Sequence, residues 1–183
     1  MICRCGWCNM NNPKYVRYHD EEWGVRNLDD HYLLEMLILE SFQAGLSWEC
    51  VLNKREAFVE AYDGFDLDKI CSYDENKVAE LKENKGIIRN SLKIKASIRN
   101  AQIFREIKKE FGSFASYLKI HIPKETIYEN DKTTSELSDR ISEDLYKRGM
   151  RFVGSTIIYS YLQAIGVIDS HLENCFLYRK NRQ

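Results

Sequence analysis

The segment at residues 31–44, HYLLEMLILESFQA, constrains the fold more than any other part of the chain. Apolar side chains occupy most of its positions, so they cover nearly all sides of a helix instead of forming one stripe. A helix of this kind is stable in water only when other elements surround it. Asp29 and Asp30 are suitable N-terminal caps, and Gly45 is a suitable stop. We therefore expect a central, buried helix.

The remaining segments also have helical periodicity, and the chain contains only 9 glycines and 2 prolines. Strand signals are weak, because no run of alternating β-branched residues is bounded by turns. We predict an all-α fold, a single helical domain over residues 1–183 whose two ends are less regular. The predicted helices after the central one lie at 48–62, 66–73, 74–84, 89–111, 113–120, 134–148 and 155–166, with connections at 121–133 and 149–154.

The net charge of −1 gives no general attraction for nucleic acid, so a nucleic-acid binder of this composition needs its positive charge on one face. The first residues lack the apolar core of a secretory signal. No apolar run reaches the roughly 18–20 residues that cross a bilayer. We expect a cytoplasmic, monomeric protein without a membrane partner.

Glu40 lies inside the apolar segment. Its neighbours three and four positions away are Met36, Leu37, Gln43 and Ala44. A carboxylate in such surroundings is costly unless it is paired or used. Two interpretations follow: an ion pair or rim position, and a pocket carboxylate that recognises a ligand.

The turn from Gln43 to Trp48 favours the second interpretation. It places an amide and an indole near Glu40. An indole face attracts cations and a carboxylate accepts from N–H groups, so together they suit a flat, cationic, hydrogen-bonding ligand. Trp48 taken alone is more typical of a core residue.

The connection at 149–154 joins two predicted helices and contains Gly149 and Gly154. Ser155 and Thr156 then begin a helix whose backbone N–H groups are suited to phosphate. This layout is typical of a helix-hairpin-helix, which binds duplex backbones without sequence preference. Similar turns also occur in proteins that bind nothing. Basic residues cluster at 82–99 and at 147–151, although charge runs are commonly solvated faces.

Three of the six cysteines, Cys3, Cys5 and Cys8, fall within the first eight residues. In a reducing compartment such clusters bind metal or do redox chemistry more often than they form disulfides. His171 and Cys175 share a helical face and form a good half-site for Zn²⁺. Spacing favours Cys8 over His19 as the partner of Cys5 in the other half. A redox pair of Cys5 and Cys8 is less favoured, because a βαβ context is absent.

The chain resembles the bacterial type I family of 3-methyladenine DNA glycosylases, and the resemblance covers almost the whole chain in consistent order. Its two most specific motifs are Tyr18-His19-Asp20-x-Glu22-Trp23-Gly24 and Gln43-Ala44-Gly45-Leu46-Ser47-Trp48. The other matching residues are Cys5-Gly6-Trp7, Tyr15, Val25, Leu39-Glu40, Gly86-Ile87-Ile88-Arg89, Lys147-Arg148-Gly149, Phe152-Val153-Gly154, His171 and Cys175.

The resemblance implies a structural zinc that joins the N- and C-terminal segments. The implied ligands are Cys5, His19, His171 and Cys175, which overrules the spacing preference for Cys8. Cys3 and Cys8 then have no assigned role.

The resemblance also implies excision of 3-methyladenine from double-stranded alkylated DNA. Glu40 would be the catalytic residue and read an edge of the flipped base, while Gly45 and Leu46 would form a wedge in the base stack. From the sequence alone, Leu46 is better explained as core. The expected base-binding residues are Trp48, Tyr18, Tyr15, Trp7 and Gln43, and the expected backbone contacts are Gly149, Gly154, Ser155 and Thr156.

Methylation at N3 makes adenine cationic and a good leaving group, so the enzyme need not protonate it. No lysine lies in a Schiff-base motif, so we expect base removal without strand cleavage, leaving an abasic site. We interpret Asp169 as a cap or surface acid. Two alternative functions from other classes remain. One is a DNA-binding module with an inactive pocket, and the other is a redox protein that uses Cys5 and Cys8.

Overall fold

The computed structural model describes residues 2–178, and this part of the chain is mostly helical, which confirms the all-α prediction. The elements in chain order are α1 (Pro13–Glu21), α2 (Asp30–Gln43), α3 (Trp48–Leu52), α4 (Arg55–Ala61), a 3₁₀ turn (Asp63–Phe65), α5 (Leu67–Cys71), α6 (Glu75–Glu83), α7 (Ser91–Phe111), α8 (Phe114–His121), β1 (Ile127–Tyr128), α9 (Glu136–Lys147), α10 (Ser155–Ala164) and β2 (Ile168–Asp169).

Helix α2 is the buried centre of the molecule, as its composition predicts. All residues from Leu33 to Phe42 are buried, and α3, α7, α8 and α10 pack around the helix. Asp29 caps it by accepting from the backbone N–H groups of His31 and Tyr32, both at 3.1 Å. The expected second cap, Asp30, instead accepts from the first amides of α8, at 2.9 and 3.2 Å. One aspartate pair therefore caps two helices.

The predicted helix at 48–62 is wrong, because it is two helices, α3 and α4. The helical ladder breaks where the backbone N–H of Lys54 donates to the carbonyl of Val51, at 3.0 Å. The preceding residue, Asn53, accepts at its side chain from Asn12, at 2.9 Å. Asparagine competes for backbone and side-chain partners and so interrupts helices readily. Helix α1, which Asn12 caps, was not predicted from the sequence.

The connection at 121–133 contains a strand that was not predicted. Strand β1 pairs in parallel with β2, so that Ile127 lies opposite Ile168 and Tyr128 opposite Asp169. Two residues are too few for an alternating pattern to be visible in the sequence. The pairing fixes the segment after β1 against the C-terminal part of the described chain.

Helices α9 and α10 form a packed pair joined by residues 148–154, which we call the hairpin. Gly149 adopts φ of +101°, which suits glycine. Two residues of the hairpin, Met150 and Val153, are fully buried. None of the helices between residues 2 and 178 is long and apolar enough to cross a membrane.

Candidate active site

A cavity of about 300 Å³ lies beside the C-terminal end of α2 and is bordered by α1, α10 and the segment after β1. Five of the predicted base-binding and catalytic residues line it together. Tyr15 does not line it, but packs behind Trp7 with the two rings 5.3 Å apart. The lining residues are Trp7, Tyr18, Trp23, Glu40, Gln43, Trp48, Asn130, Asp131, Lys132, Ser160, Gln163, Ser170 and Leu172.

Three buried polar atoms of this cavity have no hydrogen-bond partner among the described residues. They are Glu40 Oε2, Gln43 Oε1 and Trp48 Nε1. Buried polar groups in folded proteins are nearly always hydrogen-bonded, and each exception costs free energy. Three such atoms in one cavity are available to bond to a ligand that enters it. That ligand needs at least one donor and one acceptor near α2.

Glu40 is only 2% exposed and forms no ion pair within residues 2–178. Both the ion-pair and the rim interpretations are therefore wrong. Burial raises the pKa of the Glu40 carboxyl well above its ordinary value. A cation that enters the cavity would favour the charged carboxylate, so the site couples the charge of Glu40 to the charge of its ligand.

Aromatic rings form the walls of the cavity. The rings of Tyr18 and Trp48 lie 5.2 Å apart, and those of Trp7 and Trp23 lie 4.6 Å apart. Burial raises the pKa of Tyr18 well above its ordinary value, so its hydroxyl stays neutral and can donate. The cavity therefore suits a flat ring that accepts and donates hydrogen bonds at its edge.

The opposite wall of the cavity consists of residues that were not predicted from the sequence. Ser160 and Gln163 project from α10, and the Gln163 amide donates to the Ser170 hydroxyl at 2.8 Å. Polar residues three apart on an otherwise apolar helix were the available signal. The segment 130–132 gave none, because its approach to the cavity depends on the pairing of β1 with β2. The ammonium of Lys132 there is paired with Glu129 at 2.6 Å.

A second cluster joins the two ends of the described chain. The ligand atoms of Cys5, His19 and Cys175 are buried and lie within 4.8 Å of one another. The His171 ring is 5.0 Å from the His19 ring, and its buried Nε2 has no partner among the described residues. Two thiols and two imidazoles fit tetrahedral Zn²⁺. Cys8 is outside this group, in agreement with the ligand set that the resemblance implies.

Carboxylates orient both histidines of this cluster. His19 Nδ1 lies 2.7 Å from Asp20, which also binds Arg4. His171 Nδ1 lies 2.6 Å from Asp169. Zinc-binding histidines commonly have such a carboxylate partner. The interpretation of Asp169 as a surface acid is wrong, because it is 3% exposed on β2 and also accepts from the His171 backbone.

The turn after α2 and the hairpin lie at the surface. Gly45 adopts φ of +77°, and the next residue, Leu46, is 42% exposed, so its interpretation as core is wrong. Helix α10 begins at Gly154 without a side-chain cap, which leaves its first N–H groups available for an anion. The Ser155 hydroxyl instead contacts Asp139, while Thr156 is exposed.

The basic residues near the hairpin are mostly engaged by acids. Arg148 pairs with Glu110 at 2.7 Å and with Asp144 at 2.8 Å. Lys147 pairs with Glu143 at 2.8 Å. Acidic side chains therefore neutralise most of the positive charge near the hairpin. In any phosphate contact, the uncapped N–H groups of α10 would contribute a larger share of the attraction.

Comparison with known proteins gives consistent matches. The model of the methyladenine glycosylase family matches residues 7–178. The DNA-3-methyladenine glycosylase 1 of Escherichia coli (strain K12) is 38% identical over 185 residues, which cover 98% of each chain.

Two solved structures are similar to this one. A structure of 3-methyladenine DNA glycosylase I is 38% identical, has a TM-score of 0.92, and matches over 96% of this chain and 100% of its own. A second, which addresses the structural basis of 3-methyladenine recognition by the Staphylococcus aureus enzyme, is 30% identical with a TM-score of 0.87, covering 91% of this chain and 92% of its own.

Proposed function

We propose that this chain, which belongs to the methyladenine glycosylase family, excises 3-methyladenine from alkylated double-stranded DNA. The reaction is hydrolysis of the N-glycosidic bond, and the product strand retains an abasic site. The single observation that carries the proposal for this chain is the group of unpartnered polar atoms of Glu40, Gln43 and Trp48 in one aromatic cavity.

The cavity suits 3-methyladenine by both charge and hydrogen bonding. The methylated base in DNA is cationic, so it gains from the Glu40 carboxylate and from the rings of Tyr18 and Trp48. Its exocyclic amine donates to an oxygen of Glu40 or Gln43, and a ring nitrogen accepts from Trp48 Nε1–H. Guanine carries a carbonyl oxygen in place of that amine. In a methylated guanine this carbonyl oxygen would face the Glu40 carboxylate, and both groups are hydrogen-bond acceptors. Sites that bind a donor of the substrate strongly reject analogues that lack it.

The substrate reaches the cavity by leaving the base stack, because a stacked base is inaccessible to chemistry. Leu46 is the apolar side chain that fills the gap, presented by Gly45 on the turn after α2. The pair α9–α10 acts as a helix-hairpin-helix, in which Gly149 and Gly154 allow the backbone to approach a phosphate. The hydroxyl of Thr156 is available to the same phosphate.

Glu40 is the catalytic residue of the proposed reaction. Water adds to the anomeric carbon and releases one proton to the solvent. The glycosidic bond breaks, its electron pair stays with the departing base, and that base leaves neutral. Positive charge therefore moves from the base towards the sugar, and the buried carboxylate stabilises it there. The lysine that lines the cavity, Lys132, is paired with Glu129 and offers no free amine, which supports base removal without strand cleavage.

Zinc, when bound, would serve as a structural clamp between the chain ends, held by Cys5, His19, His171 and Cys175. Four protein ligands leave no open position for chemistry. The clamp borders the cavity, because Trp7 packs on His19 at 5.2 Å and Trp23 on His171 at 4.7 Å. We further propose that residues 1–183 form one domain and act as a monomer, which sedimentation at several concentrations tests.

The proposal is tested by incubating the zinc-loaded protein with methylated duplex DNA and separating the released bases by chromatography. We expect 3-methyladenine to appear while 7-methylguanine stays in the DNA. Glu40→Gln should bind DNA but release little base, and Glu83→Gln is the matched exposed control. A folded wild-type protein that binds DNA and releases no base would favour the DNA-binding module. A labile disulfide between Cys5 and Cys8 without DNA binding would favour the redox protein.

A further inference from the structure

Lys93, on the first turn of α7, is buried although lysine is almost always exposed. Its side chain is only 7% exposed, and burial lowers its pKa. Between residues 2 and 178 no carboxylate pairs with it. Instead Nζ donates to the carbonyl of Phe42 at 2.8 Å and to that of Ala44 at 2.5 Å. The ammonium therefore occupies the negative end of the α2 dipole.

These two carbonyls lie where α2 ends and the surface turn begins. Between them in sequence is Gln43, which lines the cavity, and directly after them come Gly45 and Leu46. Last-turn carbonyls of a helix have no partner within the helix. Lys93 thus satisfies groups that would otherwise be buried and unbonded, and it fixes the direction in which the chain leaves α2.

The same helix also holds the hairpin. Asn100 lies two turns after Lys93, close to the same face of α7. Its amide donates to the Arg151 carbonyl at 2.8 Å and accepts from the Arg151 N–H at 2.9 Å. The Phe152 ring is centred 5.9 Å from Lys93 Nζ. One rigid 21-residue helix therefore sets the spacing between the Leu46 turn and the hairpin.

We propose that Lys93 is a positioning residue for base flipping: it holds the turn that carries Leu46 at a set distance from the hairpin, so that the wedge and the phosphate contact engage the same nucleotide. The proposal rests on the proposed function, because it assigns a role within that reaction. Lys93 touches neither the cavity nor the base. Its loss should therefore affect the duplex reaction more than the pocket.

The experiment compares wild type, Lys93→Met, Lys93→Arg and Lys95→Met. Lys95 is an exposed lysine of the same helix and serves as the matched control. Three quantities are measured for each protein: single-turnover release of 3-methyladenine from methylated duplex DNA, binding of free 3-methyladenine by tryptophan fluorescence, and the fluorescence of 2-aminopurine beside an abasic analogue in a duplex, which rises when the stack is opened. Thermal melting gives the folded fraction.

We expect Lys93→Met to slow base release by about 10- to 100-fold, as misplacement on the order of 1 Å does in other enzymes. Its 2-aminopurine signal should fall in parallel, while its affinity for free 3-methyladenine stays that of wild type. Lys93→Arg, which keeps the charge and the donors, should restore part of both losses. Lys95→Met should match wild type.

Equal base release and equal 2-aminopurine signals in Lys93→Met and wild type would overturn the proposal. So would a parallel loss of free-base binding, which indicates a general defect of fold or pocket. If Lys93→Met does not fold, Lys93→Gln, which retains a donor for one carbonyl, carries the same comparison. A wild-type protein that opens the stack but releases no base would refute the proposed function, while the 2-aminopurine comparison would still decide the role of Lys93.

Discussion

Replacing Glu40 by glutamine should stabilise the protein while it abolishes most of the activity. Glu40 is 2% exposed in the last turn of α2, and its Oε2 has no partner among the described residues. Glutamine has nearly the same shape and cannot ionise. The substitution therefore removes the cost of charging a desolvated carboxyl and leaves the packing intact.

The size of the stabilisation depends on pH in a defined way. Burial raises the pKa of Glu40 in the folded state well above the ordinary 4.5. At pH values below that ordinary pKa, both states carry the proton and the wild type loses nothing by folding. Above it the unfolded state releases the proton while the folded state keeps it, so wild-type stability falls by about 1.4 kcal/mol per pH unit until the folded-state pKa is reached.

The assay is urea unfolding of wild type and Glu40→Gln at pH 4, 5.5 and 7, with Glu83→Gln as the exposed control. The variant should exceed the wild type near neutral pH by at most about 3.5 kcal/mol, which is the slope above taken from pH 4.5 to pH 7, and the difference should shrink towards pH 4. A variant that is less stable than wild type at pH 7, or a difference that does not change with pH, would refute the reasoning. Base release by the same variant should drop by about 10²- to 10³-fold, as when one preorganised electrostatic group is removed.

Three further substitutions separate the wedge from the metal cluster. Leu46→Ala should leave thermal stability unchanged, because this side chain is 42% exposed, but should slow base release from duplex DNA; unchanged release would argue against a wedge. His171→Ala should lose bound zinc, measured by elemental analysis, and melt at a lower temperature, since structural zinc contributes directly to folding; loss of base release with zinc content and melting intact would contradict this. Asp169→Asn should retain zinc but bind it about 10- to 100-fold more weakly, because the His171 ring loses its orienting carboxylate. A chelator competition measures this affinity. An affinity equal to that of wild type would show that the contact does not affect zinc binding.

Local patterns determined most of the secondary structure. The all-round apolar segment predicts α2, and its buried acid marks Glu40, because periodicity and burial cost act over one or two helical turns. Asp29, Ser47 and Asp66 cap the helices that follow them, as side chains of this type do wherever they precede a helix. At the break between α3 and α4 the prediction was wrong, because the apolar periodicity runs through Asn53 although its side chain is bonded to Asn12 and the backbone there leaves the helical hydrogen-bond pattern.

Spacing and periodicity did not decide which distant residues share a site; the family resemblance named them, and the tertiary structure brings them together. Spacing preferred Cys8 to His19 as a metal ligand, yet it is His19 that lies beside Cys175, with 3.5 Å between its Nε2 and the cysteine Sγ. In the sequence, Lys93 is not distinguishable from the other basic residues of the segment 82–99. Its two carbonyl partners lie about fifty residues earlier in the chain. The sequence by itself determined the helices and the chemical types present, since those follow from neighbours along the chain. The cavity, the cluster of cysteines and histidines and the Lys93 contact depend on distances between segments that are far apart in sequence, and only tertiary packing sets those distances.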